Sequence, residues 1–181
     1  MRRNNRLLRQ MILASIFTAM ITVLTCYIKI PTHNGYVHIG DAVIYIAACV
    51  LPAPLAVFCG ALGGLFADLL GGYTVYALPS FIIKALLVLA FNRKSRKFIE
   101  KRNIIAAVIA AALNTAGYFI ADAVIFSLSA SGGSFFSPAP WAAAIYDIPA
   151  NLIQSAASLA VFAALGAALD KSGIKQKLTE D

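Results

Sequence analysis

The stretch GYVHIGDAVIYIAACVLPAPLAVFCGALGGLFADLLGG, residues 35–72, decides the fold. Its only formally charged residues are Asp41 and Asp68; the rest is aliphatic, aromatic or small, with His38 near the start. Pro52 and Pro54 divide it into two apolar runs, about 38–54 and 55–71, and Gly71-Gly72 closes the second. Proline removes a helix donor and crowds the preceding turn, so two helices meet at this corner. In a soluble domain His38 and Asp41 would be surface caps. At the mouth of a membrane span they are expensive to keep and point to function.

The rest of the chain selects the membrane. Of 181 residues, 60% are hydrophobic and 13% charged, with a mean hydropathy of +0.79. Soluble domains carry about 25% charged residues, and so short a chain leaves much of its surface outside any core. Lipid is the solvent that accepts that surface. The expectation is an all-α integral membrane protein with a single domain over residues 1–181.

The net charge of +7 is gathered rather than spread. Arg2, Arg3, Arg6 and Arg9 form one cluster; Arg93, Lys94, Arg96, Lys97, Lys101 and Arg102 a second; Lys171, Lys175 and Lys177 a third. Clusters beside apolar runs are the positive-inside signature. A nucleic-acid footprint needs a continuous basic face with base-stacking residues, and the sequence has none. Cys26, Cys49 and Cys59 lie in apolar runs without metal-ligand spacing, so they read as small buried apolar residues, and no metal is expected. The basic N-terminus resembles a signal peptide, but no small-residue cleavage site precedes Lys29, so an uncleaved helix is expected.

Six spans follow, at about 7–28, 38–54, 55–71, 77–91, 104–128 and 141–169. The first is about 33 Å of helix, enough for a hydrocarbon core of about 30 Å. A basic loop, 92–103, follows the fourth, and a Gly/Ser/Pro-rich linker, 129–140, joins the last two. With six crossings and a cytoplasmic N-terminus, all three basic clusters fall on the cytoplasmic side of a bacterial plasma membrane, as does the C-terminus. Five or seven crossings would misplace at least one. GALGGLFADLLGG, 60–72, is no phosphate loop, because no G-K-[ST] follows; its small residues suit close helix packing.

On this topology Asp41, Asp68, Lys84, Asp122 and Asp147 all lie in the outer half of the membrane. Asn114, Tyr118 and Asp122 recur at i, i+4, i+8, and Asp147 and Asn151 at i, i+4, with Gln154 one turn on. Asp41 shares a face with Tyr45, and Ser80 with Lys84. Polar stripes at matched depth describe a cavity open to the outside. The plainer alternative is interhelical glue, with Asp68 pairing Lys84; four carboxylates, however, exceed what one lysine neutralises. Ala14, Ser15, Thr18 and Ala19 form small-xxx-small pairs on the first helix, suited to internal packing or to a partner helix.

These residues resemble a family. K-I-P at 29–31, G-Y-x-H-x-G-D-A at 35–42, A-D-L-L-x-G-Y at 67–73 and P-x-x-I-I-K at 79–84 are similar to the S component of energy-coupling factor (ECF) vitamin transporters, in the branch named after riboflavin. The resemblance covers most of the chain; the last two helices match in character only. It implies an S-component bundle that binds a scarce water-soluble micronutrient from outside and hydrolyses nothing. A transmembrane coupling subunit and two ATPase subunits would supply the energy, the ATP being used by those partners. The bundle would topple in the membrane to carry the site inward, with loop 29–40 as a lid. Docking in the family runs through A-x-x-x-A on the first helix, matched here by Ser15 and Ala19 or by Ala14 and Thr18, so strict alanine is lost. No Walker motif is present, which agrees with borrowed ATP.

The expected substrate-binding set is His38, Asp41, Tyr45, Asp68, Tyr73, Lys84, Asn114, Tyr118, Asp122, Asp147 and Asn151. Its excess of carboxylate and its tyrosines suit a planar, nitrogen-containing ligand, neutral or cationic. A flavin, a deazapurine such as a queuosine precursor, a pyrimidine or a pyridine vitamin would fit; Lys84 could alternatively anchor one acidic group. Two rival readings stand beside this one. An intramembrane aspartyl protease needs G-x-G-D, and His38 occupies the first glycine position. A stand-alone proton-coupled permease would use Asp122 or Asp147 as proton carrier.

Overall fold

The computed structural model describes residues 2–33, 35–91, 95–129 and 134–179. Arg93 and Lys94 of the central basic cluster and residues 130–133 of the linker lie outside the described residues, as do the side chains of Arg2 and Arg3. The elements are α1 (Arg2–Tyr27), β1 (Lys29–Pro31), β2 (Tyr36–His38), α2 (Gly40–Val50), α3 (Ala53–Gly71), a 3-10 turn (Thr74–Tyr76), α4 (Ala77–Val88), α5 (Lys101–Ser129), α6 (Pro138–Ile145), α7 (Ile148–Lys171) and α8 (Ile174–Thr179).

Among the described residues, four segments are long and apolar enough to cross a membrane: Asn4–Tyr27, Ala53–Gly71, Lys101–Ser129 and Ile148–Lys171. Gly40–Val50 and Thr74–Val88 are shorter apolar helices. The expected second run, 38–54, contracts to eleven residues because the extended Leu51 precedes Pro52, whose ring disfavours helical backbone before it. At about 16 Å, α2 is too short to span, and all eleven of its residues are buried inside the bundle. Helix α3 begins on Pro52-Ala53-Pro54 and ends where Gly72 turns left-handed at φ 85, its N–H returning to Asp68 O.

The sixth run, 141–169, is not one helix. It breaks at Tyr146-Asp147 into α6 and α7. Pro149 stands in the first turn of α7, where its missing N–H costs nothing, and Asp147 stands at the cap position. The segment 29–40 also acquires a structure that hydropathy does not disclose. Strands β1 and β2 pair antiparallel, Lys29 with His38 and Pro31 with Tyr36, and Thr32 N–H donates to Gly35 O at 2.9 Å across the turn.

Helix α3 packs between α1 and α4, α5 packs on α4, α6 and α7, and α7 covers α2. Two glycines on α3 permit the approach. A Cβ at Gly60 would stand 2.7 Å from Lys84 O, and one at Gly63 would stand 2.5 Å from the Ile21 methyl. Most of the long helices' apolar surface faces outward: only 11% of the α1 window is buried. Such a surface belongs against lipid acyl chains.

One end of the bundle brings together described members of all three basic clusters. Arg9 Nη2 donates to Lys177 O at 2.5 Å, and Lys175 Nζ donates to Ser95 Oγ at 3.0 Å and Lys97 O at 3.1 Å. Asp170 accepts the N–H groups of Phe98 and Ile99 at 2.7 and 2.9 Å, and Asn103 Nδ2 donates to Phe98 O at 3.1 Å. Helix α8 is thereby tied to the segment before α5. Burial pushes the Lys175 ammonium below its ordinary value of 10.5, against the pull of Cys49 and Asp170.

Candidate functional site

The opposite end of the bundle holds a pocket with an empty volume of about 490 Å³, open mouth included. The hairpin contributes Thr32, Gly35, Tyr36 and His38; α3 and the following turn contribute Asp68, Tyr73 and Tyr76. Tyr118 and Asp122 face it from α5, and Asp147, Ala150, Asn151 and Gln154 from the start of α7.

Two of the three carboxylates reach the wall because a helix ends or begins there, while Asp122 projects from within α5. Asp68 lies in the last turn of α3, and Asp147 is exposed to the pocket by the break that begins α7. Tyr36 Oη donates to Asp68 Oδ1 at 2.5 Å, which fastens the hairpin to α3. Tyr76 Oη donates to Asp122 Oδ1 at 2.9 Å. Lys29 Nζ stands 4.7 Å over the Tyr36 ring and 4.9 Å over the Tyr73 ring, and it donates to Gly71 O at 3.4 Å. Cation–π contacts of this kind hold a strand against a helix end without burying a bare charge. His38 Nδ1 accepts the Gly40 N–H at 3.1 Å, so a neutral His38 ring carries its proton on Nε2.

Beneath the pocket lies a second layer of polar groups, out of reach of solvent. Lys84 Nζ pairs with Asp41 Oδ1 at 2.7 Å, both side chains almost fully buried. Asn114 Oδ1 accepts from Lys84 Nζ at 2.8 Å, and Gln154 Nε2 donates to Asp41 Oδ2 at 3.2 Å. Asn114 Nδ2 reaches Ser155 Oγ at 3.4 Å. Ser80 Oγ and Tyr118 Oη share a hydrogen bond of 2.6 Å, with Lys84 Nζ 5.0 Å from the Tyr118 ring. Tyr118 and Gln154 therefore belong to both layers.

Of the expected set, His38, Asp68, Tyr73, Tyr118, Asp122, Asp147 and Asn151 line the pocket. Asp41, Lys84 and Asn114 are in the layer beneath. Lys84 pairs with Asp41 and not with Asp68, because α2 is enclosed between α4 and α7. Tyr45 lies deeper still: it stacks on Phe91 at 5.2 Å and meets Phe162 edge-on at 5.7 Å, and its hydroxyl has no hydrogen-bond partner among the described residues. Tyr36 and Tyr76 complete the aromatic wall and were absent from the expected set. Each meets its carboxylate across the fold, Tyr36 32 residues before Asp68 and Tyr76 46 before Asp122, which helical spacing does not register.

Helix α1 divides its small residues between two faces. Ala14 and Thr18 are half-buried towards α3, where Cys59 Sγ donates to Ala14 O at 3.2 Å. Ser15 and Ala19 are exposed. No group of three or more His, Cys, Asp or Glu suited to a metal occurs among the described residues.

Comparison with curated proteins gives no match for the chain. The family model of the ECF-type riboflavin transporter, S component, matches residues 6–171, which takes in every long helix, the hairpin and the pocket. An apolar exterior around a polar pocket at one end, read with that match, places the chain in the ECF-type riboflavin transporter S component family, a family of membrane-embedded transporter subunits and not of enzymes.

Proposed function

We propose that this chain is the substrate-binding subunit of an ATP-driven importer for a small water-soluble micronutrient, with its pocket facing outward and both termini in the cytoplasm. The charge distribution of the pocket carries the reading. Its wall presents Asp68, Asp122 and Asp147, while Lys84 is engaged below by Asp41 and Asn114. A ligand entering that space meets carboxylate and phenol groups, so it is neutral or cationic and rich in N–H donors. Tyr36, Tyr73, Tyr76 and Tyr118 supply faces for a planar heterocycle. A flavin, a deazapurine, a pyrimidine or a pyridine vitamin has that chemistry.

The chain contains no Walker motif, so ATP coupling falls to partner ATPase subunits, acting through a transmembrane coupling subunit. Ser15 and Ala19, the small pair left exposed on α1, are the face on which that subunit would dock; Ala14 and Thr18 are spent on α3. An apolar exterior lets the bundle reorient in lipid and deliver the pocket inward, with the β1–β2 hairpin as lid.

A thermal-shift or native mass-spectrometry screen of the purified protein against a vitamin panel identifies the ligand. Asp122→Asn and Asp147→Asn are expected to weaken its binding by about 10-fold or more each, the scale of one charge-assisted hydrogen bond, without loss of folding. Unchanged affinity in both would remove the pocket from consideration. Uptake by this chain alone, collapsed by an uncoupler, would overturn the ATP-driven reading in favour of a proton-coupled permease.

A further inference from the structure

A second concavity lies on the outer flank of the bundle, at the basic end. It forms where the chain leaving α4 runs beside α5. Ala90, Ile105, Ala106 and Ile109 make its floor, Lys101 and Arg102 its rim, and Glu100 stands beside them. Its volume is about 830 Å³, open mouth included. Lys101 and Arg102 are exposed, and Ile105 and Ile109 are 49% and 47% exposed. Those isoleucines continue into the exposed Val108 and Leu113 further along α5.

A membrane-embedded chain with this surface exposes the isoleucine strip to acyl chains, while the two cations stand at the level where headgroups begin. We propose that the groove is a binding site for an anionic phospholipid, its phosphate between Lys101 and Arg102 and an acyl chain along Ile105 and Ile109. Charge complementarity selects the occupant. Among the described residues the rim sets two cations against Glu100, a net positive charge that suits a phosphodiester anion better than a zwitterion. The Arg102 guanidinium offers two parallel donors to phosphate oxygens, and Lys101 adds a point charge. Basic pockets between helices on the cytoplasmic side are the usual seats of acidic headgroups.

The position of the groove separates it from the proposed docking face. Helix α5 packs on α4, α6 and α7, whereas α1 packs on α2 and α3. A coupling subunit seated on Ser15 and Ala19 therefore leaves this flank open to lipid.

Native mass spectrometry of the full chain, released from nanodiscs of equimolar phosphatidylglycerol and phosphatidylcholine, tests the site. Wild type is expected to retain phosphatidylglycerol in preference to phosphatidylcholine. The double variant Lys101→Ala/Arg102→Ala should lose about 30-fold of that preference, from roughly fivefold for each cation. Lys101→Gln/Arg102→Gln, which keeps polar hydrogen-bonding side chains without the charge, should lose as much. Lys171→Ala, an exposed cation outside the groove, should lose little. Equal retention of the two lipids overturns the proposal, and so does an equal loss in Lys171→Ala, which makes the attraction diffuse surface charge. Loss of co-purifying coupling subunit in the double variant, with lipid retention unchanged, overturns it in favour of a protein occupant.

Discussion

Asp41 and Lys84 form an ion pair with almost no exposure, 2.7 Å apart. Both were legible in the sequence as ionisable groups inside apolar runs. Their partnership was not, because helical spacing assigns a residue to a face but does not say which helix stands opposite. Removing one member of a buried pair leaves an uncompensated charge and costs about 3–5 kcal/mol, whereas replacing both by apolar residues is often neutral. Lys84→Met should therefore lower the unfolding midpoint in detergent sharply, and Asp41→Leu/Lys84→Met should recover most of the loss. Additive losses in the double variant would mean that the two residues act separately. Asp68, Asp122 and Asp147 show the complementary case, in which depth along the helix was enough to bring all three to the pocket wall.

Elements were legible where apolar runs were long and failed where local chemistry ended them. Asp147 followed by Pro149 is a helix-start signal inside an otherwise continuous apolar run, and hydropathy overruled it. The hairpin was hidden because three-residue strands are too short for a period to appear, although the Asn34-Gly35 dipeptide is a turn signal in the sequence. The glycines of α3 test helix contact. At Gly60 an added methyl meets the backbone oxygen of Lys84 at 2.7 Å, so α3 and α4 must separate; at Gly63 it meets Cγ2 and Cβ of Ile21 at 2.5 and 2.8 Å, and because a Cβ is fixed to its backbone, α3 and α1 must separate. Gly60→Ala and Gly63→Ala should each cost about 1–3 kcal/mol, read from unfolding midpoints. An unchanged midpoint in either would mean that the facing helix yields freely.

Helix α8 makes a prediction of opposite character. Lys175 has a folded pKa below its unfolded value of 10.5, because burial disfavours the ammonium. The folded state therefore holds its proton less tightly than the unfolded chain. The destabilisation is complete at low pH and is relieved as pH rises through the folded value towards 10.5. Between neutral pH and about pH 10, wild type should gain thermal stability relative to Lys175→Met. A relative loss over that window would show that the ammonium is favoured in place.

At the scale of the whole molecule, described members of the three basic clusters meet at one end, through the Arg9–Lys177 and Lys175–Lys97 contacts. Which side of the membrane that end faces is accessible through the cysteines. Cys26, Cys49 and Cys59 are buried, so an introduced thiol is read against a quiet background. In intact cells a membrane-impermeant maleimide should label His33→Cys on the hairpin turn and should reach Lys177→Cys only after permeabilisation. The reverse pattern would invert the proposed orientation.

The enclosure of α2 has a consequence in time. No residue of this helix faces outward, and it is about half the length of a span, so it has no stable lodging until its neighbours exist. Asp41 leaves the ribosome 43 residues before Lys84 and 113 residues before Gln154. At about 5–20 residues per second, the carboxylate waits roughly 2–9 s for its counter-charge and roughly 6–23 s for its amide. Until then the nascent chain carries an unpaired acid among greasy segments, and the order of synthesis itself becomes a hazard that a membrane insertase has to shelter.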